Sequence, residues 1–118
     1  MLLKKTVNIR VSETALWSLK DAESFKLSCT NNSETAAVFI DQLFDSAIDA
    51  ISQDPTRYRY NAMLADKGIA IREHIDVNSQ FRCLYEFNEE NNTVNILLFI
   101  SKKQDIEGML YRCLIVKK

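Results

Sequence analysis

Three basic side chains in the C-terminal half have types and spacing suited to binding an anionic or acidic partner. Arg82 lies in an alternating stretch, residues 81–87, and Lys102 and Lys103 follow a nearly continuous apolar run at residues 94–100. Guanidinium and ammonium groups bind phosphates and carboxylates and stabilise developing negative charge. If the two runs pair as a hairpin, the basic pair lies at a strand-to-helix corner, close to whatever Arg82 faces.

The same basic residues also have ordinary structural interpretations. Arg82 could form an ion pair with Glu73 or Glu86 on a neighbouring strand. Lys102 and Lys103 could be a solvated pair at a helix start, although lysines there oppose the helix dipole, which mildly favours a functional role. The residue pattern leaves these alternatives open.

Two further charged patterns permit both a binding and a structural interpretation. Residues 57–60 read Arg-Tyr-Arg-Tyr, which could bind a polynucleotide by charge and stacking or could be a connecting loop with packed tyrosines. Asp41, Asp45 and Asp49 form an i, i+4 row on a helix, which is either a solvated face or a docking edge for a basic partner. His74, the single histidine, is expected to be structural or at the surface rather than a catalytic base.

Length and composition predict one folded domain comprising residues 1–118. Apolar residues make up 47% of the 118 and charged residues 26%, as in a chain of regular secondary structure. The longest apolar run, residues 96–100, is too short to cross a membrane, and the N-terminus lacks the pattern of a signal peptide. We therefore expect a cytoplasmic protein.

Cysteine usage and charge exclude several classes of function. Cys29, Cys83 and Cys113 have no paired spacing, which predicts reduced, mostly packed thiols and neither a disulfide framework nor a metal or cofactor site. The net charge of −1 argues against coating nucleic acid through bulk positive charge. Residues 1–54 carry five basic and eight acidic groups, and residues 55–118 carry ten and eight, so an anion-facing surface belongs to the C-terminal half.

The periodicity of apolar residues predicts an α+β fold with the order β-α-α-β-β-β-α. Residues 6–11, 69–75, 81–87 and 94–100 are predicted strands. Ser-Glu-Thr-Ala occurs at residues 12–15 and again at 33–36, each time as a helix-start signal before an apolar periodic run. The expected architecture is a mainly antiparallel four-stranded sheet with a helical hairpin on one face and a short C-terminal helix. The apolar side of the first helix is predicted to comprise Ala15, Leu16, Leu19, Ala22 and Phe25.

This order, with specific local sequences, resembles the RelE/ParE family of toxins from bacterial type II toxin–antitoxin systems. The resemblance extends over residues 7–111. It is carried by the strand at residues 69–75, Phe81-Arg82-x-Leu84-Tyr85, the strand at residues 94–100, Lys102-Lys103-Gln104-Asp105-Ile106 before an aliphatic helix, and Asp54-Pro55 before an arginine-bearing loop.

The basic-basic-Gln-Asp-Ile corner resembles the ParE branch more closely. That resemblance implies a plasmid-stabilisation toxin that inhibits DNA gyrase by protein binding, with Arg82, Lys102 and Lys103 contacting the target and with no catalytic residues.

The alternative implied by the family is a RelE-like, metal-independent endoribonuclease that cuts mRNA on the ribosome. In that case Arg82, Lys103 and Tyr111 would be catalytic, although the position of the usual C-terminal Tyr or His aligns with Met109, two residues before Tyr111. A third possibility is a protein of this fold that has lost toxicity and only binds an antitoxin-like partner.

Either toxin activity implies a cognate antitoxin as the partner in a hetero-oligomer. Trp17, Val38 and Phe39 lie beside the main apolar stripes of the two helices, so we expect them to contact the antitoxin. Trp17 and Phe39 could equally be the margin of the core.

Overall fold

The computed structural model of the protein describes residues 7–101 of the 118. Its elements are β1 (Asn8–Val11), α1 (Glu13–Thr30), α2 (Ser33–Gln53), α3 (Ala62–Asp66), β2 (Arg72–Asp76), β3 (Phe81–Asn88) and β4 (Thr93–Ser101). The predicted C-terminal helix lies outside the described residues, as do Lys102, Lys103 and Tyr111. No helix in this range is long and apolar enough to cross a membrane.

The four strands form one sheet in the order β1-β4-β3-β2. β1 runs parallel to β4, and the β4-β3 and β3-β2 pairs are antiparallel, which confirms the predicted mainly antiparallel sheet. α1 and α2 pack against each other, and α1 also packs along β4. The helical hairpin therefore covers one face of the sheet, as predicted.

Side-chain caps fix where the two long helices begin. The Ser12 hydroxyl accepts a hydrogen bond from the Ala15 amide, as the helix-start signal predicts. At α2 the cap is Asn32, whose side-chain oxygen accepts from the Thr35 amide, so Ser33 is the first helical residue and not the cap. Asn31 adopts a left-handed conformation that ends α1 and turns the chain into α2.

The predicted apolar side of α1 is partly wrong. Ala15, Leu19 and Ala22 are buried, but Leu16 and Phe25 are exposed, Phe25 to 69%. Leu16 directly follows the buried Ala15 and so points to another side of the helix, and Phe25 comes after Ala22, the last buried residue of α1. The structure also adds α3 within residues 56–68, which the sequence had suggested was only a loop.

A bulge in β4 divides its side chains between two hydrophobic clusters. The register shifts between Leu84 and Tyr85, which face Leu98 and Ile96, so Leu97 is the extra residue. Ile96 and Phe99 join the helix-side cluster, while Leu97 and Leu98 pack together on the opposite face. β4 is thus a central strand covered on both faces, as its apolar sequence predicts.

Beyond the end of β1, the hydroxyls of Ser12 and Ser18 form hydrogen bonds with backbone groups of β4 that no strand pairs with. β1 stops at Val11, opposite Ile96. Beyond that point the Ser12 hydroxyl donates to the Leu97 carbonyl at 3.3 Å, and the buried Ser18 hydroxyl accepts from the Phe99 amide at 2.9 Å. A buried amide without a partner is costly, so these contacts fix the position of α1 on the sheet.

We expect Ser18→Ala to lower the free energy of unfolding by about 1–3 kcal/mol, because it leaves the Phe99 amide buried without an acceptor. Ser28→Ala is the matched control, since Ser28 makes the same hydrogen bond to the carbonyl three residues before it but is exposed. Urea denaturation of both variants measures the difference. Equal stabilities of the two would contradict the role given to Ser18.

Candidate functional site

Arg82 lies on the sheet face opposite α1 and α2. Its neighbours across the sheet are Ile75 on β2 and Ile100 on β4, and Ile100 belongs to the second hydrophobic cluster. An Nη atom of Arg82 lies 3.5 Å from a carboxylate oxygen of Glu73. The side chains are only 19% and 6% exposed, so this pair is largely withdrawn from water. The Arg82–Glu73 ion pair considered from the sequence is therefore present.

Glu73 is the centre of a small polar group that we call the Glu73 cluster, comprising Arg59, Asn61, Glu73 and Arg82. The side-chain amide of Asn61 donates from Nδ2 to Glu73 Oε1 at 3.0 Å, and Arg59 Nε lies 3.7 Å from Glu73 Oε2. The Arg59 side chain is 80% exposed. The cluster thus has one buried carboxylate, one guanidinium held in place and one that faces solvent.

The segment before α3 is aligned along β2 by backbone hydrogen bonds. The backbone amide of Glu73 donates to the Arg59 carbonyl at 3.0 Å, and the backbone amide of Asn61 donates to the Ile71 carbonyl at 2.8 Å. The Asn61 side-chain oxygen accepts from the Leu64 amide, so Asn61 both caps α3 and binds Glu73. This double role places Arg59 beside the sheet face that carries Arg82.

Arg72 binds the same segment from the helix-side face of the sheet, opposite to the face of Glu73. Its guanidinium donates to the Tyr58 carbonyl at 2.6 Å and lies 4.2 Å from the centre of the Tyr60 ring. Tyr58 packs edge-on against His74. Residues 57–60 therefore form a loop whose arginines face water, in which Tyr58 is half-buried, as a packed tyrosine should be, while Tyr60 is 47% exposed. Binding of a polynucleotide there remains a hypothesis.

His74 lies on the opposite face from the Glu73 cluster. It pairs with Cys83, which belongs to the helix-side hydrophobic cluster. Burial lowers the pKa of His74 below its ordinary value, and the carboxylate of Asp76 opposes part of that shift. Since neighbouring side chains of a strand point to opposite faces, His74 is not placed to act as a base beside Arg82.

The remaining buried titratable side chains serve the core. The Tyr85 hydroxyl donates to the Pro55 carbonyl at 2.7 Å and ties the end of α2 to the sheet, and burial raises its pKa. Burial likewise raises the pKa of the Cys83 thiol. Of the thiols expected to be mostly packed, Cys83 is buried and Cys29 is exposed, while Cys113 lies outside the described residues. Residues 7–101 contain no group of three or more acidic, His or Cys side chains that could hold a metal ion.

The predicted cationic corner is only partly within the described residues. Arg82 pairs with Ile100, and Phe81 pairs with Ser101, the residue before Lys102 in the chain. The end of β4 therefore lies beside Arg82, as the sequence predicts. Lys102, Lys103 and Tyr111 lie outside the described range, so their part in a site stays a prediction.

The residues predicted to contact an antitoxin occupy two different places. Trp17 packs at the margin of the second hydrophobic cluster, whereas half-buried Phe39 packs against the Phe81 ring on the helix side. Val38 is exposed on α2. The structure therefore does not gather all three into one cluster, and their contact with an antitoxin stays a prediction.

Asn61 is the member of the cluster that sequence reasoning missed. Its signal was present, because an asparagine immediately before the apolar Ala62-Met63-Leu64 is a helix-start pattern. A helix of only one turn gives too little periodicity to detect. The contact between Asn61 and Glu73 also joins residues twelve positions apart, which local patterns do not reveal.

We expect Glu73→Gln to lower the free energy of unfolding by about 1–3 kcal/mol, because it removes the carboxylate that pairs with the largely buried Arg82. Arg59→Gln should change it by less than about 1 kcal/mol, since an exposed ion pair contributes little. Denaturant unfolding of both variants tests this ranking. A larger loss for Arg59→Gln would show that the exposed guanidinium carries the cluster.

We expect stability to fall as the pH is lowered through the ordinary histidine pKa of 6.5. The folded chain binds the His74 proton less tightly than the unfolded chain, so acid favours the unfolded state. The contribution is complete above 6.5 and is lost as the pH falls from there towards the lower folded pKa. Free energies of unfolding measured between roughly pH 7.5 and 5.5 should depend less on pH in His74→Phe than in the parent. An unchanged dependence would contradict this assignment.

Comparison with known proteins identifies the fold. No protein-family model matches the chain, and neither does any curated protein. Among solved structures, an isolated RelE toxin from E. coli aligns with a TM-score of 0.51 at 12% identity, covering 94% of this chain and 97% of its own. A free-state mutant of E. coli RelE aligns with a TM-score of 0.57 at 12% identity, covering 93% and 96%. A RelBE toxin–antitoxin complex from Mycobacterium tuberculosis aligns with a TM-score of 0.52 at 18% identity, covering 82% and 99%. The chain therefore has the fold of the RelE toxins.

Proposed function

We propose that this chain is the toxin component of a type II toxin–antitoxin system and is neutralised by a cognate antitoxin. The RelE-like fold extends over most of the chain and carries this proposal. One of the similar structures is a toxin–antitoxin complex. The sequence motifs around Arg82 and Lys102-Lys103, which resemble those of the RelE/ParE toxins, support the same function.

As the target we propose DNA gyrase, inhibited by protein contact in the manner of the ParE branch. The supporting observation is the Arg82–Glu73 ion pair. RNA cleavage by a ribose hydroxyl places extra negative charge on phosphorus in the transition state, and this charge needs cations free to approach it. The Glu73 carboxylate lies 3.5 Å from an Nη atom of Arg82, so it offsets the positive charge of that guanidinium and repels an approaching phosphate. A protein-binding role needs only a well-oriented guanidinium, and the ion pair with Glu73 orients the guanidinium of Arg82.

The second candidate is a RelE-like mRNA endoribonuclease that uses Arg82, Lys103 and Tyr111. It is favoured by the structural likeness to RelE toxins and by the exposed guanidinium of Arg59, which shares Glu73 with Arg82. Both candidates act in the cytoplasm, where gyrase and ribosomes are found.

The deciding experiment is to induce the chain alone in a bacterial cell and to record DNA double-strand breaks and protein synthesis within minutes. On the gyrase proposal, breaks and DNA-damage induction precede any fall in translation. Purified chain should then also inhibit supercoiling by purified gyrase. Intact DNA with an immediate arrest of translation would reject gyrase and favour RNA cleavage. If neither readout changes and growth continues, the toxin proposal itself fails.

Variants assign the activity to the Arg82 face. We expect Arg82→Ala to reduce gyrase inhibition on the order of tenfold or more, since a well-placed interface arginine contributes about 2 kcal/mol. Arg10→Ala is the control, because Arg10 is an exposed arginine on β1, at the other edge of the sheet. Free energies of unfolding measured in parallel separate lost contact from lost folding. Equal inhibition by the two variants would remove Arg82 from the target-binding surface.

A further inference from the structure

Arg59 is an exposed arginine whose backbone is fixed on both sides. Its carbonyl accepts a hydrogen bond from the backbone amide of Glu73 at 3.0 Å. The carbonyl of the preceding Tyr58 accepts from the Arg72 guanidinium at 2.6 Å, and Asn61, two residues later, caps α3. Loop residues usually vary in backbone position. The side chain of Arg59 instead starts from a point that the fold defines.

The guanidinium of Arg59 is held at one atom and open at the others. Its Nε atom lies 3.7 Å from Glu73 Oε2, and its side chain is 80% exposed. Within residues 7–101 its two Nη atoms have no hydrogen bond or ion pair. A guanidinium has five N–H donors in a planar fork. An arginine held through Nε can therefore still bind a carboxylate through both Nη groups.

Arg82 is the less accessible of the two arginines that bind Glu73. Its side chain is only 19% exposed, and one of its Nη atoms lies 3.5 Å from Glu73 Oε1. The two guanidiniums thus approach different oxygens of one buried carboxylate. A protein that approaches this face meets the fork of Arg59 before that of Arg82, and Glu73 sets the direction of both.

An aliphatic side chain lies beside this pair of arginines. Ile75 is on the same face of β2 as Glu73, two residues further along the strand, and is the cross-strand neighbour of Arg82. It is 37% exposed. Arginines that contribute strongly to protein interfaces lie next to contacts that exclude water from the ion pair. This part of the face thus combines a guanidinium fork with apolar surface.

The charges of the face favour a single carboxylate over a row of phosphates. The Glu73 cluster carries one net positive charge, since its two guanidiniums share one carboxylate. Glu86 is exposed and lies on the same face of β3 as Arg82. A nucleic acid backbone needs several cations along its path, and carboxylates beside that path repel it. One acidic side chain of a protein needs only one fork.

We propose that Arg59 is a second contact of the inhibited protein and that its guanidinium binds a carboxylate there. Ile75 packs against an aliphatic side chain beside that carboxylate. This assignment rests on the proposed function, because it names the chemistry that gyrase presents to the Arg82 face. Glu73 acts as a positioning residue, since it orients the fork of Arg59 without touching the target.

The test measures binding of the full chain to purified gyrase without DNA, with inhibition of supercoiling measured in parallel. Arg59→Gln should weaken both on the order of tenfold, because the fork is lost while the fold is kept. Arg59→Lys should recover only part of the loss, since an ammonium keeps the charge but lacks two parallel donors. Added salt should narrow the difference between the parent chain and Arg59→Gln, because it screens an ion pair at the rim of an interface.

Arg57→Gln is the matched control. Arg57 is an exposed arginine of the same loop, but its guanidinium lies 5.8 Å from the centre of the Tyr58 ring and makes no ion pair with Glu73. The substitution removes the same charge and should leave binding unchanged. Free energies of unfolding of both variants separate lost contact from lost folding. Equal losses of binding in the two variants would overturn the proposal, because the charge of the loop alone would then suffice.

The remaining outcomes separate this contact from the proposed target. A parent chain that neither binds nor inhibits gyrase would overturn the target, and the Arg59 contact with it. A parent chain that inhibits gyrase no better than Arg59→Gln does would overturn the Arg59 contact alone. Binding of a labelled DNA or RNA oligonucleotide that Arg59→Gln abolishes and Arg57→Gln retains would assign Arg59 to a phosphate and would also overturn the carboxylate contact.

Discussion

The architecture depends on which groups form hydrogen bonds with the half of the central strand β4 that β1 does not reach. β1 pairs with only the first part of β4, and a sheet edge with buried amides and carbonyls is unstable unless other groups bind them. Ser12 and Ser18 provide those groups from the start of α1. The first helix is therefore held to the sheet by directional hydrogen bonds as well as by apolar packing. α2 packs on α1 and so takes its position from that attachment.

A second organising group lies on the other face, where Glu73 is almost fully buried. A carboxylate is withdrawn from water at low cost only when cations and donors surround it. Arg59 and Asn61, from the segment before α3, and Arg82, from β3, supply these. The cluster thus orders the segment before α3 and fixes the direction of Arg82. The same physical requirement that stabilises the fold decides which side chains can meet a partner on that face.

Much of the fold followed from the sequence because its signals are local. Alternation identified β3, a nearly continuous apolar run identified β4, helical spacing identified α2, and Pro55 marked the helix end. The site was less predictable. The pairing of Arg82 with Glu73 was one of several options, because alternation gives the face of a side chain but not the register of the neighbouring strand. The short helix α3, the role of Asn61 and the exposure of Phe25 depend on contacts between distant segments, which periodicity does not encode.

The bulge at Leu97 has an evolutionary consequence. Removing one residue from a regular strand turns every following side chain to the wrong face. At Leu97 the opposite holds, because Ile96, Leu98 and Phe99 already alternate correctly once the extra residue is omitted. This position is therefore where β4 can lose a residue while the side chains that follow keep their faces of the sheet. Related chains that differ in length within this strand should differ there, and sequence alignments that force a gap elsewhere in β4 would misplace the residues facing each core.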